Sequence, residues 1–250
     1  QSSSRFRDSK ASYADIGQTL GVGQILDGSV RLAEGRVRIV TQLVSAKTGE
    51  TLLADTYDRE LTDVFAIQSD VAERIASALE IRLTSAERDR LASRPTASTA
   101  AYSYYLKGRE YYNHYGGQDN ETAIRLFKKA IEIDPAYATA YAGLGDAYAQ
   151  RVNKFGFPPA WLDSALASAS FALRLDPGLA DAYKAQGLVY QNANRYGEAL
   201  RAYRKAVELN PNNDAAVANI GSILALRGDL PQAVSWLRRA VSLNPAIAFG

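Results

Sequence analysis

Between residues 100 and 245 apolar side chains return every three or four positions, the period of a helix that buries one face. Ile124, Phe127 and Ile131 fall on one such face, and Leu200, Tyr203 and Val207 on another, with Arg125, Lys128, Lys129 and Glu132 around the first. Between residues 24 and 60 the pattern changes to alternation, the period of a strand. Val37, Ile39, Thr41 and Leu43 then share one face, and AEGR and AKTGE divide the stretch into three strands. A three-stranded antiparallel meander is predicted. SYADIGQTLG reads as a short helix ahead of it, ended by Gly21. After it, Val64, Ile67, Val71, Ile75 and Leu79 return to helical spacing, and TSAERDRLA opens a second helix with Thr84 and Glu87 as a capping box.

The helical half repeats itself. An Ala lies 12 residues before a Pro and a second Ala 5 before it in four copies: Ala123, Ala130, Pro135; Ala165, Ala172, Pro177; Ala199, Ala206, Pro211; Ala233, Ala240, Pro245. The steps between prolines are 42, 34 and 34 residues, so the period is 34 with eight extra residues in one copy. Gly108, Gly145, Gly187 and Gly221 sit upstream inside helical pattern, where a glycine costs about 1 kcal/mol against alanine, so close approach of neighbouring helices is expected there. Each unit reads as a hairpin of an A helix and a B helix, closed by Asp-Pro or Asn-Pro because proline disfavours helix at the preceding residue. The predicted hairpins span about 101–135, 136–177, 178–211 and 212–245, with the extra residues in the loop near RVNKFGFPPA, the 149–160 insert.

These residues resemble the tetratricopeptide (TPR) family. Tyr141, Leu144, Gly145 and Tyr148 supply the A-helix half of its pattern, and Ala199, Tyr203, Ala206 and Pro211 the B-helix half. Ala169 departs from it in place of the B-helix aromatic, as do Val217 and Ile220 in the last unit. The first half resembles, more loosely, the TolB-like domain that precedes TPR arrays in bacterial membrane-linked regulators, through ILDGSVR at 25–31, RVRI at 36–39, TGE at 48–50, YDR at 57–59 and DVFAIQ at 63–68. A strand, a helix and a strand would precede these in that family, which implies that the module is incomplete. The expected fold is an α+β module over 1–95, the meander plus helices, joined by SRPTAST to an all-α right-handed TPR superhelix over 100–250. AIAFG at the end reads as the opening of another A helix, leaving Val234, Leu237 and Val241 short of cover, so more repeats or a partner are expected to follow.

Charge adds little: residues 1–99 hold 13 basic and 14 acidic side chains and residues 100–250 hold 16 and 13, a balance that gives no reason to expect a nucleic-acid partner. With no cysteine, the chain has neither disulfides nor thiolate sites, and its compartment is unreadable. The resemblance implies the periplasmic or cytoplasmic side of the bacterial inner membrane and membrane tethering of the full-length protein, while no apolar run here is long enough to span a bilayer. His114, the one histidine, reads as part of an enlarged loop of the first repeat, where Gly108 precedes Ala123 by 15 residues against 12 in the last two copies, and is a poor start for a metal site or a triad. GQTLGVGQILDG runs from helix to strand without the lysine of a phosphate loop, and the carboxylates are scattered. No catalytic residue, cofactor or metal is expected.

A surface for a protein or peptide is expected instead. In the TPR family A helices line the concave side, which places Tyr102, Tyr105, Arg109, Tyr112, Asn113, Asp146, Gln150, Lys184, Leu188, Gln191 and Asn192 in a groove, with Ser222 and Leu226 beyond them. AYSYYLKGREYYNHYGG carries six tyrosines, side chains favoured in binding surfaces and equally able to pack internally. The family's carboxylate clamp is not reproduced, though Asn113 and Asn192 are placed to bind peptide backbone. FGFPPAW reads as a contact loop or as a hydrophobic plug. The expected function is a non-catalytic interaction module, the sensory or scaffolding part of a larger bacterial regulator; alternatives are the regulatory region of a nucleotide cyclase or kinase, and an oligomerisation module.

Overall fold

Ser12 and Asp15 cap each other at the start of the first helix, α1 (Tyr13–Leu20): the Ser12 hydroxyl accepts the Asp15 amide at 3.2 Å, and the Asp15 carboxylate accepts the Ser12 amide at 3.3 Å. Gly21 ends the helix at φ 65, a left-handed cap that favours glycine. This computed structural model describes residues 6, 11–33, 36–60 and 64–244, in two compact units that divide between Arg94 and Pro95.

In the first unit β1 (Gln24–Ala33), β2 (Arg36–Ser45) and β3 (Thr51–Glu60) form an antiparallel meander in the order β1-β2-β3. The turn expected at AEGR includes Glu34 and Gly35, outside the described residues. Val37 and Leu43 are buried, Ile39 and Thr41 half-buried, and Arg36, Arg38 and Val40 face away. The alternation fails at Val44, which is buried beside Leu43 because the pairing with β3 shifts register between them. α2 (Val64–Ala78) packs on β3, gathering Val37, Tyr57 and Ile67 with Ile39 and Val71 into a small core. α3 (Ser85–Ala92) is tied back by the Ser69 hydroxyl, which donates to the Leu91 carbonyl. The backbone of Arg88 donates to Thr84, while the Glu87 half of the expected capping box lies outside the described side chains. Leu26 and Val30 pair with Leu43 and Ile39 and so share the apolar face, yet both stay exposed.

The second unit consists of four hairpins: α4 (Thr99–Asn113) with α5 (Gly117–Ile133), α6 (Ala138–Phe155) with α7 (Trp161–Leu175), α8 (Ala180–Asn192) with α9 (Tyr196–Leu209), and α10 (Asp214–Leu226) with α11 (Leu230–Leu243). Each B helix stops at the residue before proline: Asp134, Asp176, Asn210 and Asn244 all turn to extended backbone, with φ from −133 to −146. Asp or Asn suits that position because its side-chain oxygen accepts the amide two residues on, as Asp134 does from Ala136 at 3.0 Å, Asp176 from Gly178 at 2.8 Å and Asn210 from Asn212 at 3.1 Å.

The helical glycines mark close approach. A Cβ on Gly187 would stand 2.5 Å from the Tyr203 ring, one on Gly108 2.7 Å from Phe127 and one on Gly221 2.7 Å from Leu237. Gly145 meets Ala165 and Ala169 instead, so the missing aromatic at Ala169 is matched by backbones that come closer.

Three local expectations are corrected. The extra residues of the second hairpin lengthen α6, which runs to Phe155, rather than only its loop. His114 sits in a three-residue connection, not an enlarged loop, because the three extra residues between Gly108 and Ala123 lengthen the start of α5, which begins six residues before Ala123 where α9 begins three before Ala199. SRPTAST is not wholly linker: Thr96 is buried with its hydroxyl on Asp134, and Ser98 caps α4 by accepting the Ala101 amide at 3.1 Å.

Candidate functional site

Neighbouring A helices touch one another along the stack, α4 with α6, α6 with α8 and α8 with α10, whereas B helices pack mainly on their own A helix and the next one. A stack in which one layer is closer together than the other curves toward the closer layer, so the A helices form the inner face.

At its centre lie four charges from three A helices. Lys184 Nζ is 2.7 Å from Asp146 Oδ2 and 3.6 Å from Asp181 Oδ1, and Arg109 Nη1 is 3.9 Å from Asp181 Oδ2. Arg109 Nη1 also donates to the Tyr105 hydroxyl at 3.3 Å, and Asn213 Nδ2 to Asp181 at 3.4 Å. Asp146 is 1% exposed, and its Oδ1 has no hydrogen-bond partner among the described residues; Arg109 Nε is likewise unpartnered.

Burial pushes the Asp146 carboxyl above the usual range, with Lys184 and Arg109 pulling it back. Lys184 holds Asp181 below that range. Burial alone would lower the lysine, but Asp146 and Asp181 outweigh it, so Lys184 stays charged well above its ordinary value. Burial likewise raises the phenols of Tyr105, Tyr112 and Tyr203.

These shifts predict alkaline sensitivity. Three phenols raised from 10.0 and a lysine raised from 10.5 give the folded chain protons that the unfolded chain has lost, so their stabilisation is complete below those values and disappears as pH rises through the folded ones. Thermal melts followed by circular dichroism should hold nearly level from neutral pH to about 10 and fall steeply beyond it. A level curve through the alkaline range would contradict this.

The expected groove residues thus divide. Asp146, Gln150 and Lys184 are buried, and Tyr105 is packed between Phe127 and Tyr137, with ring centroids 5.9 and 5.3 Å away. Gln150 Nε2 donates to the Tyr112 carbonyl at 3.3 Å, and Gln150 Oε1 accepts from Asn120 at 2.8 Å. Asn192 donates to the Ala149 carbonyl at 3.2 Å and Gln191 accepts from the Tyr203 hydroxyl at 2.9 Å, so both already hold this chain's own groups. Tyr102, Arg109, Tyr112, Asn113, Leu188, Gln191 and Asn192 are half-buried, and Ser222 and Leu226 range from half-buried to exposed.

Sequence reasoning missed Asp181, which joins Arg109 to Lys184; its spacing of three residues from Lys184 on one helix was the available signal. It missed Arg151 too. The Arg151 Nε donates to the buried Asn120 at 3.2 Å while its guanidinium lies 4.5 Å from the Phe157 ring centre and 4.8 Å from that of Trp161. FGFPPAW therefore folds over the end of α6, with Trp161 half-buried and Phe157 outermost.

Among the described residues there is no group of three or more potential metal ligands, and no helix long and apolar enough to cross a membrane. Two repeat-family models match the chain: "Tetratricopeptide repeat" over residues 184–246 and "TPR repeat" over 108–151. A protein of Rhizobium meliloti (strain 1021) named "Putative adenylate cyclase 3" is 36% identical over 163 residues, which is 64% of this chain and 28% of that protein. The small glutamine-rich tetratricopeptide repeat-containing protein 2 of Mycosarcoma maydis is 32% identical over 97 residues, 39% of this chain and 25% of that protein. The chain thus spans about a quarter of the length of these relatives. Among solved structures, a thermophilic TPR protein of Thermus thermophilus matches with a TM-score of 0.48 at 19% identity, over 58% of this chain and 75% of that one. The helical unit carries tetratricopeptide repeats, a fold suited to protein–protein interaction.

Proposed function

We propose that these tetratricopeptide repeats bind a protein or peptide segment on the inner face of the A helices, without catalysis. The observation that carries the reading is the division within that face: a nearly neutral charge cluster, with Asp146 and Lys184 buried and Arg109 and Asp181 half-buried, fixes the helices, and half-buried Tyr102, Tyr112, Asn113 and Leu188 lie on the same helices together with Gln191 and Asn192, whose amides are taken up in part by Tyr203 and Ala149. Such a face offers aromatic area and amide groups on a rigid base, the combination that recognises an extended peptide with little ordering cost.

Panning a displayed library of unstructured peptides on the chain, then measuring a recovered peptide by calorimetry, tests this. Asn113→Arg puts a bulky charge at the rim of the face and away from the core; it should weaken binding about tenfold or more, or about 1.4 kcal/mol, with an unchanged melting temperature. Undiminished affinity in that variant would place the peptide elsewhere.

In the same reading the first unit is a TolB-like module and the chain serves as the sensory or scaffolding part of a bacterial membrane-linked regulator. A second reading is favoured by the Rhizobium relative, whose name is that of an adenylate cyclase: the chain would be the regulatory region of a nucleotide cyclase, with catalysis outside these residues. Assaying the full-length gene product for cyclic nucleotide formation separates the two, since a scaffold would yield none.

A further inference from the structure

We infer that the cleft between the third and fourth hairpins, apart from the inner face, is a second binding site, and that it takes an acidic peptide segment carrying an aromatic side chain. The cleft, of about 420 Å³, is walled by α9 and by the turn from α10 into α11. Leu200 and Leu224 are buried at its floor, while Arg201, Arg204 and Arg227 line it as exposed side chains that make no ion pair among the described residues. The carboxylates of α9 and of the turn are already committed. Glu198 pairs with Arg195 and Glu208 with Lys205, and Asp229 accepts both the amide and the side chain of Gln232.

The junction between the first two hairpins shows what such a cleft holds. Counted from the glycine and the first alanine of each repeat, Arg151 stands there where Arg227 does, Tyr148 where Leu224 does, Glu121 where Gly197 does and Trp161 where Asp229 does. Arg151 lies 3.9 Å from the Glu121 carboxylate and 4.8 Å from the Trp161 ring centre, and Trp161 packs on Tyr148 with centroids 5.1 Å apart. The junction between the second and third hairpins is filled as well: Arg195, at the Asp229 position, pairs with Glu198 and lies 4.8 Å from the ring centre of Tyr190, at the Leu224 position. In both cases the carboxylate and the ring come from the hairpins that form the junction, not from a later repeat. The third junction keeps the arginine and loses both partners, since glycine, aspartate and leucine replace glutamate, tryptophan and tyrosine. A carboxylate beside an aromatic ring is therefore what fits, the first on the edge of a guanidinium and the second on its face. With Arg201 and Arg204 beside it the cleft stays positive after one carboxylate is bound, so a segment with two or more acidic residues complements it.

Displayed random peptides, each with one fixed tryptophan, are panned on the chain carrying Asn113→Arg, which obstructs the inner face; a recovered peptide is then synthesised and titrated by fluorescence anisotropy. Aspartate or glutamate should be enriched beside the tryptophan. Changing the acidic residues of the peptide to their amides, or its tryptophan to alanine, should weaken binding about tenfold or more, as should Arg201→Gln with Arg227→Gln in the chain. Both arginines are exposed, so the melting temperature should not move. Gly197→Glu gives Arg227 the carboxylate that Arg151 has and should weaken the peptide, whereas Gly197→Gln, of the same size, should leave it bound. Recovered peptides without acidic enrichment, or affinity indifferent to the arginine pair or equal in the two Gly197 variants, overturn the inference. Displacement of the peptide by an equal concentration of inorganic phosphate overturns it in favour of a site for small anions.

Discussion

Lys184→Met should destabilise the repeat unit by about 3–5 kcal/mol in urea denaturation, because it leaves a buried carboxylate without its counter-charge. Asp146 would keep neither its 2.7 Å ion pair nor any hydrogen bond to its Oδ1, whereas Asp181 would still have Arg109 and Asn213. The reverse deletion, Asp146→Leu, should cost less, since Lys184 keeps Asp181 at 3.6 Å. The order of the two variants is thus part of the prediction. Replacing both partners, Asp146→Leu with Lys184→Met, removes the stranded charge and should recover much of the loss.

The pH dependence separates this account from simple loss of packing. Burial already raises the Asp146 carboxyl, and Lys184→Met deletes the main influence that lowers it. The folded variant would therefore take up a proton that the unfolded chain, with an ordinary carboxyl near 3.8, has released. Stability of the variant then falls as pH rises through that interval, so its deficit should be smallest in acid and grow toward neutrality. A deficit constant across that range would show that the lysine contributes mainly its hydrocarbon stem.

The repeat was legible because two strong local rules act together at each hairpin: proline ends the helix, and glycine admits a large side chain. Both depend on residue type at fixed spacing, which a sequence displays. Residues 96–98 were misread as linker because Ser and Thr favour loops and helix caps alike, and the choice depends on Asp134, 38 residues away from Thr96. The inner-face residues were identified by position, but position does not tell whether a polar side chain meets solvent or another helix. Asp146, Gln150 and Lys184 hold partners on neighbouring hairpins, 38 residues apart in each case for Asp146 with Lys184 and for Gln150 with Tyr112. The register shift at Leu43 and Val44 escaped for a related reason: both neighbours are apolar, so alternation alone cannot say that both are inside.

The same division bears on function. In the proposed reading, the buried side chains that lock one hairpin to the next are taken up by this chain, and specificity would pass to the half-buried groups of the same helices. A rigid inner layer would hold those aromatic and amide groups in one arrangement, which lowers the entropy lost on binding.

Phe127→Ala should cost the unit about 3–5 kcal/mol, toward the upper end for a large core truncation. The ring is fully buried between Gly108 of its own hairpin and Gly143 of the next A helix, two residues with no side chain to move into the void. Gly143→Ala provides the complementary test. In the wild-type chain its Cβ would meet Phe127 Cε1 at 2.9 Å, so the substitution should overpack and destabilise by about 1–3 kcal/mol. With Phe127→Ala already in place the obstacle is gone, the methyl occupies part of the cavity, and alanine is the better helix former by about 1 kcal/mol. Gly143→Ala should then stabilise. A double-mutant cycle in urea denaturation should therefore show coupling well above the ~0.5 kcal/mol expected of independent sites. Additive costs would mean that the two helices shift together when the ring is removed, and that glycine is kept at residue 143 for some reason other than room for Phe127.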